Sequence, residues 1–333
     1  MTEGVRGRRE ALGLSQSDVA EAAGLSRQLI GTVETGRHVP NVNAALALAR
    51  ALGTTVEDLF GIQIEQWEPA LEQPAHEGAA LLAVRVGERL VYAPLSEPGA
   101  ESFWQRADGV FQGGRVNLFA GIEPAGFAVA GCDPALGLAA SFLPQRGASR
   151  LVAIPATSAA ARRALADGRL HAALIHGPAR EMGAPSEGVS RMKLARWRVG
   201  LAGRPGSKIE LSLVAGGRTK LARLAAGAEA QKTLDRALLH HGGSSKVTGP
   251  VASGHLDSAR LVAYGAADLG VVMEPAARTF GLEFHPLEEH VVVLETYKRW
   301  AEHPGIRALA ALFGSKTFRV RLGVVGGYDL YGS

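Results

Sequence analysis

Two short helical patterns joined by a glycine, in residues 15–34, limit most strongly what this chain can fold into. Ser15 can cap the first helix, and Asp18 adds negative charge to its first turn. Gly24 can adopt the left-handed conformation that ends a helix, and Ser26 can cap the helix that follows. The pattern predicts a helix-turn-helix.

The second of these helices has one apolar and one polar face. Leu29, Ile30 and Val33 recur at helical spacing and predict the buried face. The outward residues Arg27, Gln28 and Thr32 carry a guanidinium, a bidentate amide and a hydroxyl, which suit base edges in a DNA major groove. The alternative is an αα-hairpin packed for stability alone, but a polar Ser-Arg-Gln start has little purpose in a core.

The surrounding residues extend the pattern to about the first sixty positions. The sequences Leu-Ser-Gln, Gly-Leu-Ser-Arg-Gln, Glu-Thr-Gly-Arg and Ala-Leu-Gly follow one another between Leu14 and Gly53. This stretch resembles the five-helix helix-turn-helix domain of the Cro/C1 (XRE) repressor family. We therefore expect an all-α DNA-binding domain at residues 1–61 and a double-stranded DNA operator as its partner. The predicted DNA contacts are Gln16, Ser26, Arg27, Gln28, Thr32, Arg37 and Asn41.

Composition sets limits on the rest. The 333 residues suffice for two or three domains, and no run of about twenty apolar residues predicts a membrane span. A single cysteine, Cys132, and a start without an apolar signal segment predict a cytoplasmic protein. The net charge of +4 does not support DNA binding, because residues 1–61 carry a net charge of −1.

Beyond residue 61 the chain changes character twice. Residues 62–78 are rich in Glu, Gln and Pro and predict a linker, followed by a β-hairpin at 79–95 and a strand near 116–119. We treat 62–125 as one connecting segment. From residue 126, apolar strands at 127–131, 150–155, 170–176, 198–202, 269–273 and 290–295 alternate with helices at 135–142, 158–166, 228–239, 256–264, 306–313 and 317–322. This alternation predicts parallel sheets with a ligand crevice at the carboxyl ends of the strands.

The segment 126–333 resembles the periplasmic-binding-protein-like domain that is fused to DNA-binding domains in bacterial regulators. It is also similar to molybdate- and tungstate-binding proteins of the type II fold. The resemblance is carried by the stretches around Cys132, His171, Gly265, His285 and Tyr328. It implies two α/β lobes around a cleft, with chain crossings near 194–198 and 284–291, and an effector that is an oxyanion or another metabolite.

By that resemblance the ligand lies where strands end and helices begin. The predicted ligand residues are Cys132, Asp133, Thr157, Ser158, His176, Glu229 and His255. Three alternatives stay open: Thr157 and Ser158 can be helix caps, His176 a core or rim histidine, and Cys132 a small buried apolar residue.

One departure from the related domains concerns residues 226–231. Related domains have a hydroxyl-rich Gly-Ser-Gly-Thr-Arg-like turn that grips an oxyanion, whereas this chain has Ala-Gly-Ala-Glu-Ala-Gln. The Glu229 carboxylate would repel an anion in a desolvated cleft. This favours a neutral or cationic ligand.

No motif of a hydrolase, a nucleotide-binding enzyme or a zinc site is present. We therefore expect neither catalysis, a cofactor nor a metal. The sequence predicts a homodimeric, ligand-responsive transcriptional regulator. The alternative is a constitutive repressor whose C-terminal domain is a degenerate dimerisation or protein-interaction scaffold.

Overall fold

The computed structural model describes residues 3–60, 66–95, 106–241 and 247–331. The chain divides into two compact units, Met1–Glu65 and Gln66–Ser333, and each has its own apolar core. Within these described ranges, no helix combines the length and the apolar character that a bilayer crossing requires.

The described residues of the first unit form five helices, as the sequence predicts. They are α1 (Glu3–Ala11), α2 (Gln16–Ala23), α3 (Arg27–Glu34), α4 (Val42–Ala51) and α5 (Val56–Phe60). A capping box starts α2, because the Ser15 hydroxyl accepts the Asp18 N–H and the Asp18 carboxylate accepts the Ser15 N–H. Gly24 ends α2 with φ 65° and turns the chain toward α3.

The core of this unit joins side chains from all five helices. Val19, Ile30, Val33 and Leu48 are fully buried. Burial of each such side chain contributes about 1.5–3 kcal/mol, so the apolar face of α3 is committed to the interior. Its polar face is left for solvent or a partner.

The second unit begins with a small sheet, for which the described residues supply five strands in the order β1–β3–β2–β4–β5. These strands are β1 (Trp67–Pro69), β2 (Ala80–Val86), β3 (Arg89–Pro94), β4 (Gly109–Gln112) and β5 (Arg115–Leu118). The β2–β3 hairpin and β5 lie where the sequence predicts strands. The segment predicted as a linker also supplies β1, which pairs in parallel with β3. Residues 62–65 and 96–105 of that segment lie outside the described ranges, and the boundary at residue 125 stays a prediction.

A larger mixed sheet forms the body of the second unit. Its described strands run in the order β10–β11–β9–β12–β8–β6–β7, and β13 pairs with β9. They are β6 (Phe127–Gly131), β7 (Leu151–Pro155), β8 (Ala172–Gly177), β9 (Val189–Gly203), β10 (Leu221–Ala222), β11 (Leu269–Met273), β12 (Glu283–Tyr297) and β13 (Asp329–Leu330). The helices that accompany them are α6 (Ala135–Phe142), α7 (Ser158–Ala166), α8 (Leu211–Ala215), α9 (Glu229–His240), α10 (His255–Ala263), α11 (Glu274–Thr279), α12 (Pro304–Gly314) and α13 (Lys316–Val325).

The prediction of parallel sheets is wrong for the middle of this sheet. Among the described strands, β6–β7, β6–β8 and β10–β11 pair in parallel, whereas β9 and β12 pair antiparallel with each other and with their outer neighbours. Each of these two strands is 15 residues long. The sequence pattern suggested only short strands at 198–202 and 290–295, because the polar residues that precede each apolar run conceal the rest. Both predicted crossing segments, 194–198 and 284–291, lie within these two long strands.

Candidate functional site

The first candidate surface is the start of α3. The Ser26 hydroxyl accepts the Leu29 N–H at 3.2 Å and caps the helix. Arg27 and Gln28 follow in the first turn, and both are exposed. Among the described residues, neither side chain has a hydrogen-bond partner in the protein. A guanidinium and an amide are therefore presented outward on a helix whose other face is fixed in the core.

The other predicted DNA contacts have different surroundings. The Thr32 hydroxyl donates to the Leu29 carbonyl at 2.9 Å, and the Asn41 side-chain oxygen caps α4 by accepting the Ala44 N–H at 2.9 Å. Arg37 is exposed. Thr32 and Asn41 each keep part of their hydrogen-bonding capacity, and their DNA contacts stay predictions.

Gln16, also predicted to contact DNA, belongs to a buried cluster at the end of α3. Its amide nitrogen donates to Glu34 at 2.8 Å, and the Arg9 guanidinium binds the same carboxylate at 2.6 Å. Burial alone would raise the pKa of Glu34, but the hydrogen bonds from Arg9 and Gln16 lower it. This carboxylate ties α3 to α1 and α2, so it sets the position of the exposed residues at the other end of α3.

The second candidate site is a largely buried group of side chains where β6 and β8 end and α10 begins, and four of the predicted ligand residues converge there. We refer to this region, where the sequence predicts the ligand crevice, as the cleft. Cys132 follows β6, His176 lies near the end of β8, and His255 begins α10. The ligand atoms that these three residues offer lie within 4.8 Å of one another. The Cys132 Sγ and His176 Nε2 atoms are 3.0 Å apart. We refer to Cys132, His176 and His255 as the Cys–His–His cluster.

Asp133, the fourth of these residues, is the centre of a buried hydrogen-bond network. Its carboxylate accepts the Ala135 N–H at 2.8 Å, the Trp197 indole N–H at 2.8 Å and the Tyr328 hydroxyl at 2.7 Å. Burial raises the pKa of Asp133, and the three hydrogen bonds oppose that shift only in part. Both carboxylate oxygens are used inside the protein, so this residue holds the cleft together.

A chain of hydrogen bonds leads from His176 away from the cluster. Its Nδ1 atom lies 2.9 Å from Nδ1 of His290, whose Nε2 lies 3.1 Å from the Thr233 hydroxyl. That hydroxyl donates to Glu288 at 3.0 Å. We refer to His176, His290, Thr233 and Glu288 as the histidine chain. It joins β8, β12 and α9.

The histidines of the cleft are neutral in the folded protein. Burial lowers the pKa of His176 well below its usual value, that of His255 to about 3 and that of His290 to about 4. Burial also raises the pKa of the Cys132 thiol. The cleft therefore offers neutral nitrogen and sulfur donors.

The remaining predicted ligand residues lie at helix starts. The Thr157 hydroxyl caps α7 by accepting the Ala160 N–H at 3.2 Å. The Ser158 hydroxyl is buried and bonds to both backbone groups of His176, at 3.0 and 3.1 Å. Glu229 starts α9 and binds Lys232 at 2.7 Å. The two hydroxyls are engaged within the protein, in keeping with the capping alternative for Thr157 and a positioning contact for Ser158.

Several residues of the cleft are absent from the sequence prediction. Trp197 and His290 are cross-strand partners on β9 and β12, with ring centroids 5.6 Å apart. Thr233 lies on α9, and Tyr328 reaches Asp133 from the far end of the chain. Trp197 and His290 lie in the crossing segments predicted at 194–198 and 284–291, and Tyr328 lies in a stretch that carries the family resemblance, so each of these three had a signal. Nothing in the local pattern marks Thr233.

Comparison with known proteins agrees with this architecture. Residues 140–314 match a PBP superfamily domain, and residues 4–59 match a helix-turn-helix domain. An uncharacterized HTH-type transcriptional regulator of Methanothermobacter thermautotrophicus is 44% identical over 57 residues, which cover 17% of this chain and 83% of that protein. The Bacillus subtilis regulator YgzD is 32% identical over 65 residues, 20% of this chain and 98% of its own.

The second unit also aligns with solved structures. An ABC-type phosphate transport receptor from Vibrio cholerae is 12% identical, with a TM-score of 0.42, and the alignment covers 61% of this chain and 99% of that one. The match to the family model spans more than half of the present chain. The chain belongs to the PBP superfamily, and it joins that domain to an N-terminal helix-turn-helix DNA-binding domain of the XRE type, as in a transcriptional regulator.

Proposed function

We propose that this DNA-binding transcriptional regulator reads its operator with the first turn of α3. Arg27 has the geometry to bind guanine and Gln28 to bind adenine through paired hydrogen bonds. The surrounding contacts are assigned to Gln16, Ser26, Thr32, Arg37 and Asn41. Contacts to the DNA phosphate backbone fix the position of the protein along the duplex, whereas the two base contacts determine which sequence it prefers.

The observation that supports this assignment is the contrast between the two faces of α3. Ile30 and Val33 are fully buried, whereas Arg27 and Gln28 are exposed and, among the described residues, have no protein partner for their polar atoms. The exposed side chains of Arg27 and Gln28 therefore keep their hydrogen-bonding groups for a partner outside the chain. We propose that two copies bind as a homodimer to half-sites about 34 Å apart, in the cytoplasm and without enzymatic activity.

The experiment uses the purified full-length chain and an operator recovered by selection from random DNA. We expect the Arg27→Ala/Gln28→Ala double variant to lose about 2–6 kcal/mol of operator binding, ~30-fold or more in a gel shift. The matched control is Gln112→Ala/Arg115→Ala, which removes an exposed Gln and an exposed Arg at the β4–β5 turn. Undiminished specific binding by the first variant would remove the role of α3.

We further propose that the cleft of the second unit binds the effector. Burial raises the pKa of the Cys132 thiol most, and the nearby carboxyl groups of Asp133 and Glu229 raise it further. An oxyanion is disfavoured in such a field, and a neutral or cationic effector is favoured. Binding changes DNA affinity only to the extent that the effector prefers one conformation of the regulator.

A second candidate function is a constitutive DNA-binding repressor with a cleft that binds nothing. It is favoured by the hydrogen bonds from Trp197 and Tyr328 to Asp133, because the polar groups at the centre of the cleft already have partners within the protein.

A thermal-shift screen separates the two candidates. An effector at about 100 times its Kd adds about 2.7 kcal/mol to the free energy of unfolding. Tryptophan fluorescence reports on the second unit alone, because all four Trp residues follow residue 65. If no class of compound stabilises the second unit against unfolding, the constitutive repressor is favoured.

A further inference from the structure

The Cys–His–His cluster has the donor set and the spacing of a transition-metal site. A tetrahedral ion bound by sulfur at about 2.3 Å and nitrogen at about 2.1 Å holds those two atoms about 3.6 Å apart. Cys132 Sγ and His176 Nε2 are 3.0 Å apart, and all three ligand atoms lie within 4.8 Å of one another. Shifts of about 0.6–1.2 Å would bring them to bonding geometry.

The histidine chain gives His176 the tautomer that a metal ligand needs. Burial alone would raise the pKa of Glu288, but hydrogen bonds from Arg236, Thr233 and Arg180 lower it, so its carboxylate is ionised and only accepts. The Thr233 hydroxyl has two acceptors within reach, that carboxylate at 3.0 Å and the Glu229 backbone carbonyl at 3.1 Å, and it gives its single proton to one of them. Thr233 can then only accept from His290 Nε2.

The same reasoning continues to the cluster. Because His290 carries its proton on Nε2, its Nδ1 accepts a hydrogen bond from His176 Nδ1–H. His176 Nε2 is then an unprotonated lone pair, which accepts the Cys132 S–H. Metal-binding histidines usually donate their second ring N–H to a nearby acceptor, as His176 does here. The nitrogen that faces the thiol is therefore prepared to bind a metal.

The charge around the cluster favours a cation. The Asp133 carboxyl group belongs to the residue next to Cys132, and the Glu288 carboxylate ends the hydrogen-bond chain that leads from His176. Asp133 itself is not a suitable ligand, because its oxygens already accept three hydrogen bonds. The acidic groups favour a positive charge nearby, and the cluster provides the atoms that bind the metal.

We propose that Cys132, His176 and His255 bind a thiophilic transition-metal ion, with Zn²⁺ as the probe ion, and that this ion is the effector of the cleft. The role of this ion as the effector rests on the proposed function, whereas the metal site does not. Thiolate and imidazole ligands together suit Zn²⁺ and its neighbours rather than Mg²⁺ or Ca²⁺. On binding, the S–H bond of Cys132 breaks, the sulfur–metal bond forms with the thiolate electron pair, and the proton leaves to solvent.

His255 couples this site to the rest of the domain. Its Nδ1 accepts the Met273 N–H at 3.2 Å, so its proton is on Nε2 in the metal-free protein. Ligation through Nε2 would move that proton to Nδ1, and ligation through Nδ1 would displace the Met273 N–H. Either way the bond to Met273 breaks, and Met273 is the residue that ends β11 and precedes α11. Metal binding therefore changes a contact between α10 and β11, which is a physical route from the ion to a change in conformation.

The test uses the untagged, metal-free full-length chain and Zn²⁺ or Co²⁺ alone. We expect one Zn²⁺ per chain by calorimetry and, with Co²⁺, a thiolate-to-cobalt absorption band. Cys132→Ser should abolish the band, and His176→Gln or His255→Gln should weaken Zn²⁺ binding at least about 100-fold. The control is His285→Gln, an exposed histidine on β12 that lies outside the cluster. Tryptophan fluorescence unfolding checks that each variant is folded.

The outcomes separate the site from its role. Zn²⁺ binding without the cobalt–thiolate band, or binding unchanged in folded Cys132→Ser, overturns the site, as does the absence of binding to wild type. If Zn²⁺ binds as expected, saturation should change operator affinity at least about fivefold. No change would overturn the effector role and leave the site. Failure of the Arg27→Ala/Gln28→Ala test would instead overturn the proposed DNA contacts, whatever Zn²⁺ does.

Discussion

Helix α3 and the cleft differ in how their polar side chains are placed. On α3, Arg27 and Gln28 are exposed, and among the described residues their polar atoms have no protein partner. In the cleft, Asp133 and His176 are almost fully buried and are hydrogen-bonded to other side chains. An exposed surface of this kind can bind a partner without first breaking hydrogen bonds within the protein. A cleft of this kind must exchange internal hydrogen bonds for those to a ligand, so binding there changes the protein.

The two regions also differ in the distance along the chain that their contacts span. The helix cap at Ser15 joins residues three apart. Asp133, by contrast, binds Trp197 across 64 residues and Tyr328 across 195. Local contacts can form early and independently, whereas the cleft forms only when distant segments have come together. The predictions below are ordered by the size of the effect that this difference implies.

The largest effect is expected for Asp133→Ala. This change leaves the Trp197 N–H and the Tyr328 hydroxyl without their acceptor inside the protein. Each buried donor left without its partner costs about 1–3 kcal/mol, so the two together cost about 2–6 kcal/mol. Urea unfolding followed by tryptophan fluorescence measures the free energy of unfolding of the second unit.

Asp167→Ala is the matched control, because the Asp167 carboxylate is more than half exposed and the Arg169 guanidinium that it binds keeps a second acceptor, the Pro69 carbonyl. Its cost should be within about 1 kcal/mol. Equal costs for the two variants would show that the Asp133 network adds nothing beyond a surface ion pair.

A smaller effect is expected for Glu34→Ala in the DNA-binding unit. The change removes the carboxylate that binds Arg9 and Gln16, at a cost of about 2–3 kcal/mol. The folded pKa of Glu34 lies below its unfolded value of about 4.3, so the stabilisation is fully present above that pH and is lost as the pH falls toward the folded pKa. Hydrogen exchange of the α3 amides at pH 7 and pH 3.5 should show a difference that shrinks at the lower pH. A difference that grows on acidification would contradict the ion pair.

The cleft counterpart is Thr233→Val, with an expected cost of about 1–3 kcal/mol. The substitution keeps the shape of the side chain but removes the hydroxyl that accepts from His290 and donates to Glu288. Thr279→Val is the control, because the Thr279 hydroxyl only donates to a carbonyl one turn earlier in α11. Chemical unfolding of the two variants, followed by tryptophan fluorescence, should rank Thr233→Val as the more destabilising. The reverse order would mean that the histidine chain carries no stabilisation of its own.

These contrasts explain what could be predicted from the sequence. The helix-turn-helix was predictable because caps, glycine turns and apolar spacing act within a few residues, as at Ser15, Gly24 and Ser26. Helix α7 was predicted with its observed bounds, and β11 likewise, for the same local reason.

The cleft was only partly predictable. Cys132, Asp133, His176 and His255 are predicted from the resemblance to periplasmic-binding-protein-like domains, which implies a ligand where strands end and helices begin. Tyr328 is not among the predicted ligand residues, because nothing near it in sequence indicates a partner 195 residues away. The metal-compatible spacing of the Cys–His–His cluster was missed for a related reason. Its three members are separated by 44 and 79 residues, whereas recognisable zinc motifs bring their ligands close together along the chain.

The smallest effect is expected for Ser15→Ala, which tests how independent the local contacts are. The change removes the hydroxyl that accepts the Asp18 N–H, and loss of such a cap costs about 1 kcal/mol. Ser17→Ala is the control, since Ser17 is exposed on the same helix and does not cap it. Hydrogen exchange should show faster opening of α2 for Ser15→Ala only, with the tryptophan-monitored unfolding of the second unit unchanged. A shift in that second transition would show that the two units are thermodynamically coupled. The contrast between the local contacts of the helical unit and the long-range contacts of the cleft would then need to include that coupling.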